Sequence, residues 1–192
     1  MPTNRLEAFS DGVLAIIITI MVLELRPPHG TDTHALLPLV PKFCSYILSF
    51  VYVGIYWNNH HHMFQATKRI SGGALWANLH LLFWLSLFPF VTGWIGETRL
   101  AIAPTVSYGI VLFMAAIAYW ILQTVIIRSQ GPDSQLARAV GADRKGKISP
   151  VLYAIAIAAG FWKPIISDVF YVGVALMWLV PDPRIERWMQ HA

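Results

Sequence analysis

The sequence has few charged residues and a single cysteine, and both shortages limit what the protein can be. Charged residues make up 12% of the 192-residue chain, whereas hydrophobic residues make up 56%. A soluble globular protein carries roughly 25% charged residues. The composition therefore excludes an ordinary soluble domain and indicates an all-α integral membrane protein. The lone Cys44 excludes an internal disulfide and any metal site built from several cysteines.

Other features of soluble, modular or secreted proteins are also missing. The chain has no internal repeat, no low-complexity tract and no linker long enough to separate domains, so we expect one transmembrane domain over residues 1–192. No small-residue cleavage site follows the opening apolar stretch, which we expect to be retained. The sequence pI is about 9.4, but no soluble basic face studded with aromatic residues exists, so we expect no nucleic-acid partner.

Long apolar stretches dominate what remains. A membrane span needs about 20 mostly apolar residues at about 1.5 Å rise each. Six segments qualify, at about 6–25, 38–57, 75–95, 105–127, 149–163 and 165–180. Only Lys163 and Pro164 separate the last two, so a kinked single span and a tight hairpin both fit. We favour the hairpin, because one helix from 151 to 180 would be about 45 Å long and would hold Lys163 and Asp168 at its middle.

The distribution of Lys and Arg predicts the orientation. With six spans and a cytoplasmic N-terminus, ten of the fourteen basic residues fall on the cytoplasmic side. This bias agrees with the positive-inside rule and requires an even number of spans. We therefore expect a multi-pass protein of the cell membrane with both termini in the cytoplasm.

The first predicted helix is polar at its start and apolar thereafter. Arg5, Glu7, Ser10 and Asp11 lie on its first turns, and the rest of the helix is apolar apart from Thr19. Arg5 and Asp11 lie about 120° apart around the axis, so they are not expected to pair with each other. An isolated charge near the bilayer is costly, and each should therefore find partners on other helices or other copies of the chain.

The apolar part of this helix carries one stripe. Ile16, Ile20 and Leu23 fall within about 60° of each other, Thr19 lies at the edge, and Asp11 points to the opposite side. Such a stripe fits lipid contact or core packing as well as a specific role. Thr19 equally fits a hydrogen bond to the carbonyl four residues back.

The second predicted helix ends in an aromatic and histidine-rich run. Consecutive histidines at 60–62 diverge by about 100° on a helix, so they are poorly placed to chelate one metal ion. The spacing instead places Trp57, His60 and His61 close together, at the depth of Ser10 and Asp11. We expect this face to satisfy the polar start of the first helix. Asn78 and His80 of the third helix could join the same network.

These residues carry a family resemblance. The pattern Arg5-xxx-Phe9-Ser10-Asp11 and the later Trp57-Asn-Asn-His60-His61 run resemble the bacterial branch of the transmembrane protein 175 potassium channels. The resemblance implies a six-helix subunit and a homotetramer in which the first helix of each subunit lines a central pore. The TVGYG filter of other potassium channels is absent. The residues that would match the family's helix-packing network are Arg5, Phe9, Ser10, Asp11, Trp57, His60, His61 and Asn78.

The resemblance also assigns roles to the stripe. Ile16 would form an apolar constriction, Ile20 and Leu23 would form the next layers, and Thr19 would match a hydroxyl position tied to cation selectivity. The helical phase of Arg5 would place it on the pore side below the constriction, with no partner that the sequence identifies. Potassium ions would then be the permeant species, with no other cofactor.

Two function classes stay open. The first is a passive cation channel that prefers potassium over sodium. The second is a proton-coupled carrier or membrane enzyme that uses Asp11 and the His60–His62 cluster as titrating groups. A carrier should show inverted repeats and broken helices, and an enzyme should present a nucleophile or a metal constellation. The sequence shows neither, so we expect no catalytic residue, no metal site, and the bilayer and further copies of the chain as partners.

Overall fold

The computed structural model describes residues 3–67, 69–98, 101–141 and 143–179, and this part of the chain is almost entirely helical. A 3-10 helix, Thr33–Leu39, leads directly into the second α-helix. The α-helices in the described ranges are α1 (Thr3–Leu23), α2 (Val40–Gln65), α3 (Gly72–Ser86), α4 (Phe88–Thr98), α5 (Ile102–Gln130), α6 (Gln135–Val140), α7 (Arg144–Gly160) and α8 (Pro164–Leu179).

The all-helical membrane class is confirmed. Within the described residues, four helical stretches are long and apolar enough to cross a membrane, by length and composition: Thr3–Leu23, Thr33–Gln65, Gly72–Thr98 and Ile102–Gln130. The last apolar helix, Pro164–Leu179, is shorter. Val180, the end of the sixth expected segment, and four basic residues that entered the charge count, Lys68, Arg99, Arg184 and Arg187, lie outside the described residues.

The helices of the first two expected spans end at other residues than expected. α1 stops at Leu23 rather than 25, and Glu24 and Arg26 lie beyond it before the two prolines. α2 continues to Gln65, eight residues past the expected end at 57, so the whole histidine run is helical. The sequence placed this run on the helix beyond the apolar span, and several of its polar side chains do find partners on α1 and α3. A membrane helix tolerates polar residues that find partners on neighbouring helices.

The expected third helix is in fact two helices, because Pro89 interrupts it. Proline has no backbone N–H, and its ring collides with the carbonyl four residues back. The backbone therefore tightens at Leu87, whose N–H donates to the Trp84 carbonyl three residues earlier at 3.3 Å. α4 then continues as a separate helix from Phe88.

The end of the described chain folds as the expected hairpin. α7 and α8 are joined by three residues, and Ser167 Oγ donates to the Ala156 carbonyl at 2.6 Å across the turn. α7 begins at Arg144, five residues before the expected start, because the Asp143 carboxylate accepts the Gly146 N–H at 3.0 Å and caps the helix.

The two polar residues used to argue for the hairpin differ in their surroundings. Lys163 is exposed at the turn, and its ammonium lies 5.1 Å from the centre of the Trp162 ring. Asp168, which was expected to reach the interface as well, is half-buried. Its Oδ1 forms no hydrogen bond with any described residue.

Tyrosine hydroxyls tie the hairpin to the rest of the subunit. Tyr52 of α2 donates to the Tyr171 carbonyl at 2.5 Å, and Tyr171 donates in turn to the Thr105 carbonyl of α5 at 3.0 Å. The Tyr171 ring passes directly over Gly109, which leaves no room for a Cβ atom. The close approach of α5 and α8 therefore depends on glycine at position 109.

We expect Gly109→Ala to destabilise the protein by about 1–3 kcal/mol, because the added methyl group would displace the Tyr171 ring and break its bond to Thr105. Gly173→Ala on α8 is the matched control, since a Cβ atom there meets nothing within 4 Å. Unfolding of both variants in detergent by denaturant titration checks the prediction. Equal stability of the two variants would contradict it.

Candidate pore-lining helix and its supporting network

α1 presents two different faces. Its buried face is formed by Leu6, Ser10, Leu14, Ile17 and Met21, and it packs against α2, α3 and α4. The stripe expected from the sequence lies on the other face: the exposed fractions are 60% for Ile16, 43% for Ile20 and 72% for Leu23. Thr19 is also exposed. The stripe is therefore not part of the core of its own subunit.

The Thr19 hydroxyl donates to the Ala15 carbonyl at 2.8 Å, the bond to the residue four positions back that the sequence allowed. This bond uses the only proton of the hydroxyl. The oxygen keeps lone pairs that can accept another hydrogen bond or face a cation. Thr19 is thus fixed in orientation and still available as an oxygen ligand.

Arg5 and Phe9 extend the exposed face towards the start of α1. Phe9 is 51% exposed, and the Arg5 side chain is exposed as well. Arg5 forms no hydrogen bond or ion pair with any described residue of its own chain. These two members of the signature are therefore not brought into the network that the remaining residues form.

A fully buried chain of hydrogen bonds joins α1, α2 and α3. Asn78 Nδ2 donates to Ser10 Oγ at 2.9 Å, and Ser10 Oγ donates to the Leu6 carbonyl at 2.9 Å. Asn78 Oδ1 therefore faces His60 Nε2, at 2.8 Å, as an acceptor. This direction of the chain assigns a proton to His60 Nε2. Ser10 and Asn78 have no exposed surface, and His60 is only 2% exposed.

Two further contacts run beside this chain and also tie α1 to α2. Trp57 Nε1 donates to Asp11 Oδ1 at 3.1 Å, and Glu7 Oε1 lies 2.7 Å from His61 Nδ1. The Trp57 and His61 rings are stacked, with centroids 6.1 Å apart. On its other side, His61 Nε2 lies 2.8 Å from Gln65 Nε2. On the side of α1 opposite the exposed stripe, three side chains therefore bond directly to α1: Trp57, His61 and Asn78. His60 and Gln65 bond in turn to Asn78 and His61.

Sequence reasoning left Glu7 without a partner, although one signal was available. Glu7 and Asp11 are four residues apart, and residues at this spacing lie on one face of a helix. Their partners, Trp57 and His61, are four residues apart as well. Two matched pairs of this kind would have predicted a second contact beside the one between Asp11 and Trp57.

His80 does not join the network, contrary to expectation. Its Nε2 accepts the indole N–H of Trp84 at 3.0 Å on the same helix. The three adjacent histidines also diverge, since His60 contacts Asn78 and His61 contacts Glu7. No group of three or more metal-binding side chains is present in the described part of the chain.

Comparison with known proteins identifies the family. Residues 5–89, which include nearly all of α1, the whole of α2 and all of the network, match the family model described as endosomal/lysosomal potassium channel TMEM175. A potassium channel from Chryseobacterium sp. (strain P1-3) is 57% identical over 187 residues, which cover 97% of this chain and 97% of the relative. The chain belongs to the TMEM175 family. The resemblance inferred from the signature residues is confirmed.

Other TMEM175-related proteins agree with this assignment. A potassium channel from Streptomyces collinus (strain DSM 40733 / Tue 365) is 33% identical over 125 residues, or 61% of each chain. The crystal structure of a lysosomal potassium-selective channel TMEM175 homolog from Chamaesiphon minutus superposes with a TM-score of 0.80 at 27% identity. That match covers 93% of this chain and 96% of the homolog. The TMEM175 fold therefore extends over nearly the whole chain.

Proposed function

We propose that the protein is a passive, potassium-preferring cation channel, in which four copies of the chain surround a central pore lined by α1. The observation that carries the proposal is the exposed stripe of Ile16, Thr19, Ile20 and Leu23, whose opposite face is buried and hydrogen-bonded. A helix that is anchored on one side and free on the other can supply one wall of a shared path. Membership of a family whose named bacterial relatives are potassium channels supports the same conclusion.

In this proposal each subunit is one transmembrane channel domain with six membrane spans. The spans are α1, α2, α3 with α4, α5, α7 and α8. In this proposal the channel lies in the cell membrane with both termini in the cytoplasm. The basic residues at the C-terminal end of α5 and the start of α7 support this orientation.

The proposed pore combines apolar and hydroxyl rings. Ile16, Ile20 and Leu23 from four copies form a narrow apolar passage that resists hydration. The Thr19 ring lies within this passage, and its lone pairs replace part of the hydration shell of an ion. Potassium is favoured because it sheds its water more easily than sodium does. Glu24, exposed just beyond α1, enriches cations at the outer mouth.

Planar-bilayer recording of the purified protein tests the proposal. With potassium on one side and sodium on the other, we expect unitary currents that reverse towards the potassium equilibrium potential. Flux that is stoichiometrically coupled to protons and occurs without unitary currents would contradict a channel, and would favour the carrier that uses Asp11 and the histidines at 60–62.

We expect Asp11→Ala to reduce the yield of tetramer by more than half while the permeability ratio of potassium to sodium stays within about twofold of wild type. The reason is that Asp11 accepts the Trp57 indole N–H at 3.1 Å and positions α1 without facing the path. Asp11→Asn is the matched control, since an amide oxygen can accept the same bond. Cross-linking ladders and reversal potentials measure the two effects. A stable Asp11→Ala tetramer with altered ion preference would reverse the assigned role.

A further inference from the structure

A second site lies away from α1, in a crevice between α2, α5, α7 and α8. The crevice is partly open, and the space in it that no atom occupies is about 480 Å³ when the solvent at its mouth is included. It extends along α7 from Asp143 to Tyr153, which is about 15 Å at about 1.5 Å per residue. Six of its lining residues are aromatic: Tyr52, Tyr56, Tyr119, Trp120, Tyr153 and Trp178.

Among the described residues that line the crevice, Asp143 is the charged one. It caps α7 and lies at the end of the crevice nearest to the connection from α5. Of the basic residues of the same helix, Arg144 and Lys147 are exposed, and helical spacing turns them away from the lining residues Gly146 and Ser149. Lys145 is half-buried one turn before Ser149, but it is not among the residues that line the crevice. The charge on the described lining is therefore that of the Asp143 carboxylate.

Two other polar side chains of the lining are already used within the protein. Ser149 Oγ accepts the Trp178 indole N–H at 2.9 Å and donates to the Lys145 carbonyl at 2.8 Å. Asn59 Nδ2 donates to the Ile55 carbonyl at 2.8 Å. The lining consequently offers a ligand an aromatic surface and one carboxylate.

We propose that this crevice binds an organic ammonium group. Aromatic rings attract a cation through the negative potential of their faces, and the attraction grows when the site is shielded from water. A carboxylate at the rim offsets the cost of removing the charge from water. An inorganic anion or an acidic headgroup is disfavoured by the same carboxylate. The group can come from a soluble amine or from the ethanolamine headgroup of a lipid, since both present the same chemistry.

No residue of α1 lines the crevice. The inference therefore does not rest on the proposed ion path, and either of the two can fail alone. A ligand bound here contacts α2, which carries Trp57 and His61, and α7, whose first turn is fixed by Asp143.

Choline and its uncharged carbon isostere, 3,3-dimethyl-1-butanol, provide the test. Binding is measured by calorimetry on the full-length protein in nanodiscs of phosphatidylglycerol, which contain no ammonium headgroup. We expect choline to bind at least about tenfold more tightly than the isostere, as the loss of cation attraction to several rings and one carboxylate predicts.

Asp143→Asn separates this site from any binding in the ion path. Asparagine caps helices as well as aspartate does and tolerates the left-handed backbone at this position, where φ is 37°. We expect this variant to bind choline about tenfold more weakly, whereas Asp133→Asn, at an exposed carboxylate outside the crevice, keeps wild-type affinity. Trp120→Leu should weaken binding, and Trp76→Leu, at an exposed tryptophan of α3, should not.

A second set of nanodiscs containing phosphatidylethanolamine identifies the source of the group. Weaker apparent choline binding there would support an occupied site with the lipid headgroup as its ligand, and unchanged binding would support a soluble amine. Equal affinity of choline and the isostere, equal affinity of wild type and Asp143→Asn, or the absence of choline binding in phosphatidylglycerol would each overturn the proposal.

Discussion

Ile16→Ser should increase the potassium current by about tenfold or more, because a hydroxyl at the proposed constriction would lower the cost of hydrating its apolar ring by at least about 1.4 kcal/mol. Ile16 is 60% exposed on the outer face of α1, so the change alters the proposed path and leaves the core intact. Single-channel conductance and open probability in planar bilayers measure the effect.

The change should affect current more than ion preference. Thr19 lies about one turn further along α1, and its hydroxyl remains fixed by the Ala15 carbonyl. We therefore expect the reversal potential of Ile16→Ser to stay close to that of wild type.

Ile165→Ser is the matched control for the current measurement. Ile165 lies on α8 and is 52% exposed, so it resembles Ile16 in residue type and exposure but is far along the chain from α1. It should conduct like wild type. Equal currents in wild type, Ile16→Ser and Ile165→Ser would remove Ile16 from the constriction.

Asn78→Leu should lower the free energy of unfolding by about 2 kcal/mol. Asn78 is fully buried and links His60 to Ser10. Leucine has nearly the same shape but accepts no hydrogen bond, so the His60 Nε2 proton would be left without a partner inside the protein. Unfolding by denaturant titration in detergent measures the loss.

Two further variants isolate the hydrogen bond from the packing. The double variant His60→Phe with Asn78→Leu replaces both partners by apolar groups, and a phenyl ring at position 60 can keep the stacking on Phe64, whose ring centroid lies 4.3 Å away. We expect the double variant to be more stable than Asn78→Leu alone. Asn58→Leu, at an exposed position, should change stability by less than about 0.5 kcal/mol. If the loss in free energy of unfolding of the double variant equalled the sum of the losses of His60→Phe and Asn78→Leu measured singly, the hydrogen bond between the two residues would be contradicted.

The sequence predicted the features that follow from the helical repeat and from how far along a membrane span each polar residue lies. Helical spacing places Ile16, Ile20 and Leu23 on one face, and that face is exposed in the structure. The depth of Ser10 and Asp11 below the apolar stretch matches that of Trp57, His60 and Asn78, and these residues do contact each other. The hairpin at Lys163 follows from the length that a bilayer allows.

The remaining features depend on contacts that spacing alone does not reveal. α2 continues past its apolar residues because α1 and α3 satisfy the polar ones, and of these partners Glu7, which contacts His61, was not predicted. His80 accepts a hydrogen bond from Trp84 instead of joining the network, because a residue four positions along the same helix lies next to it whatever the packing. Pro89 is visible in the sequence, but it lies within one continuous apolar stretch. Apolar composition therefore predicted a single helix where the structure has α3 and α4.

Cysteine accessibility at position 16 tests the proposed pore most directly. Ile16→Cys in a Cys44→Ser background is exposed to a membrane-impermeant, cationic thiol reagent during recording, with Val169→Cys, at a 66% exposed position of α8, as the control. We expect the reagent to abolish the current of Ile16→Cys and to leave Val169→Cys unaffected, and oxidation to bridge neighbouring copies through position 16. Labelling of Ile16→Cys only by reagents that enter from the lipid would show that α1 faces the bilayer and not an ion path.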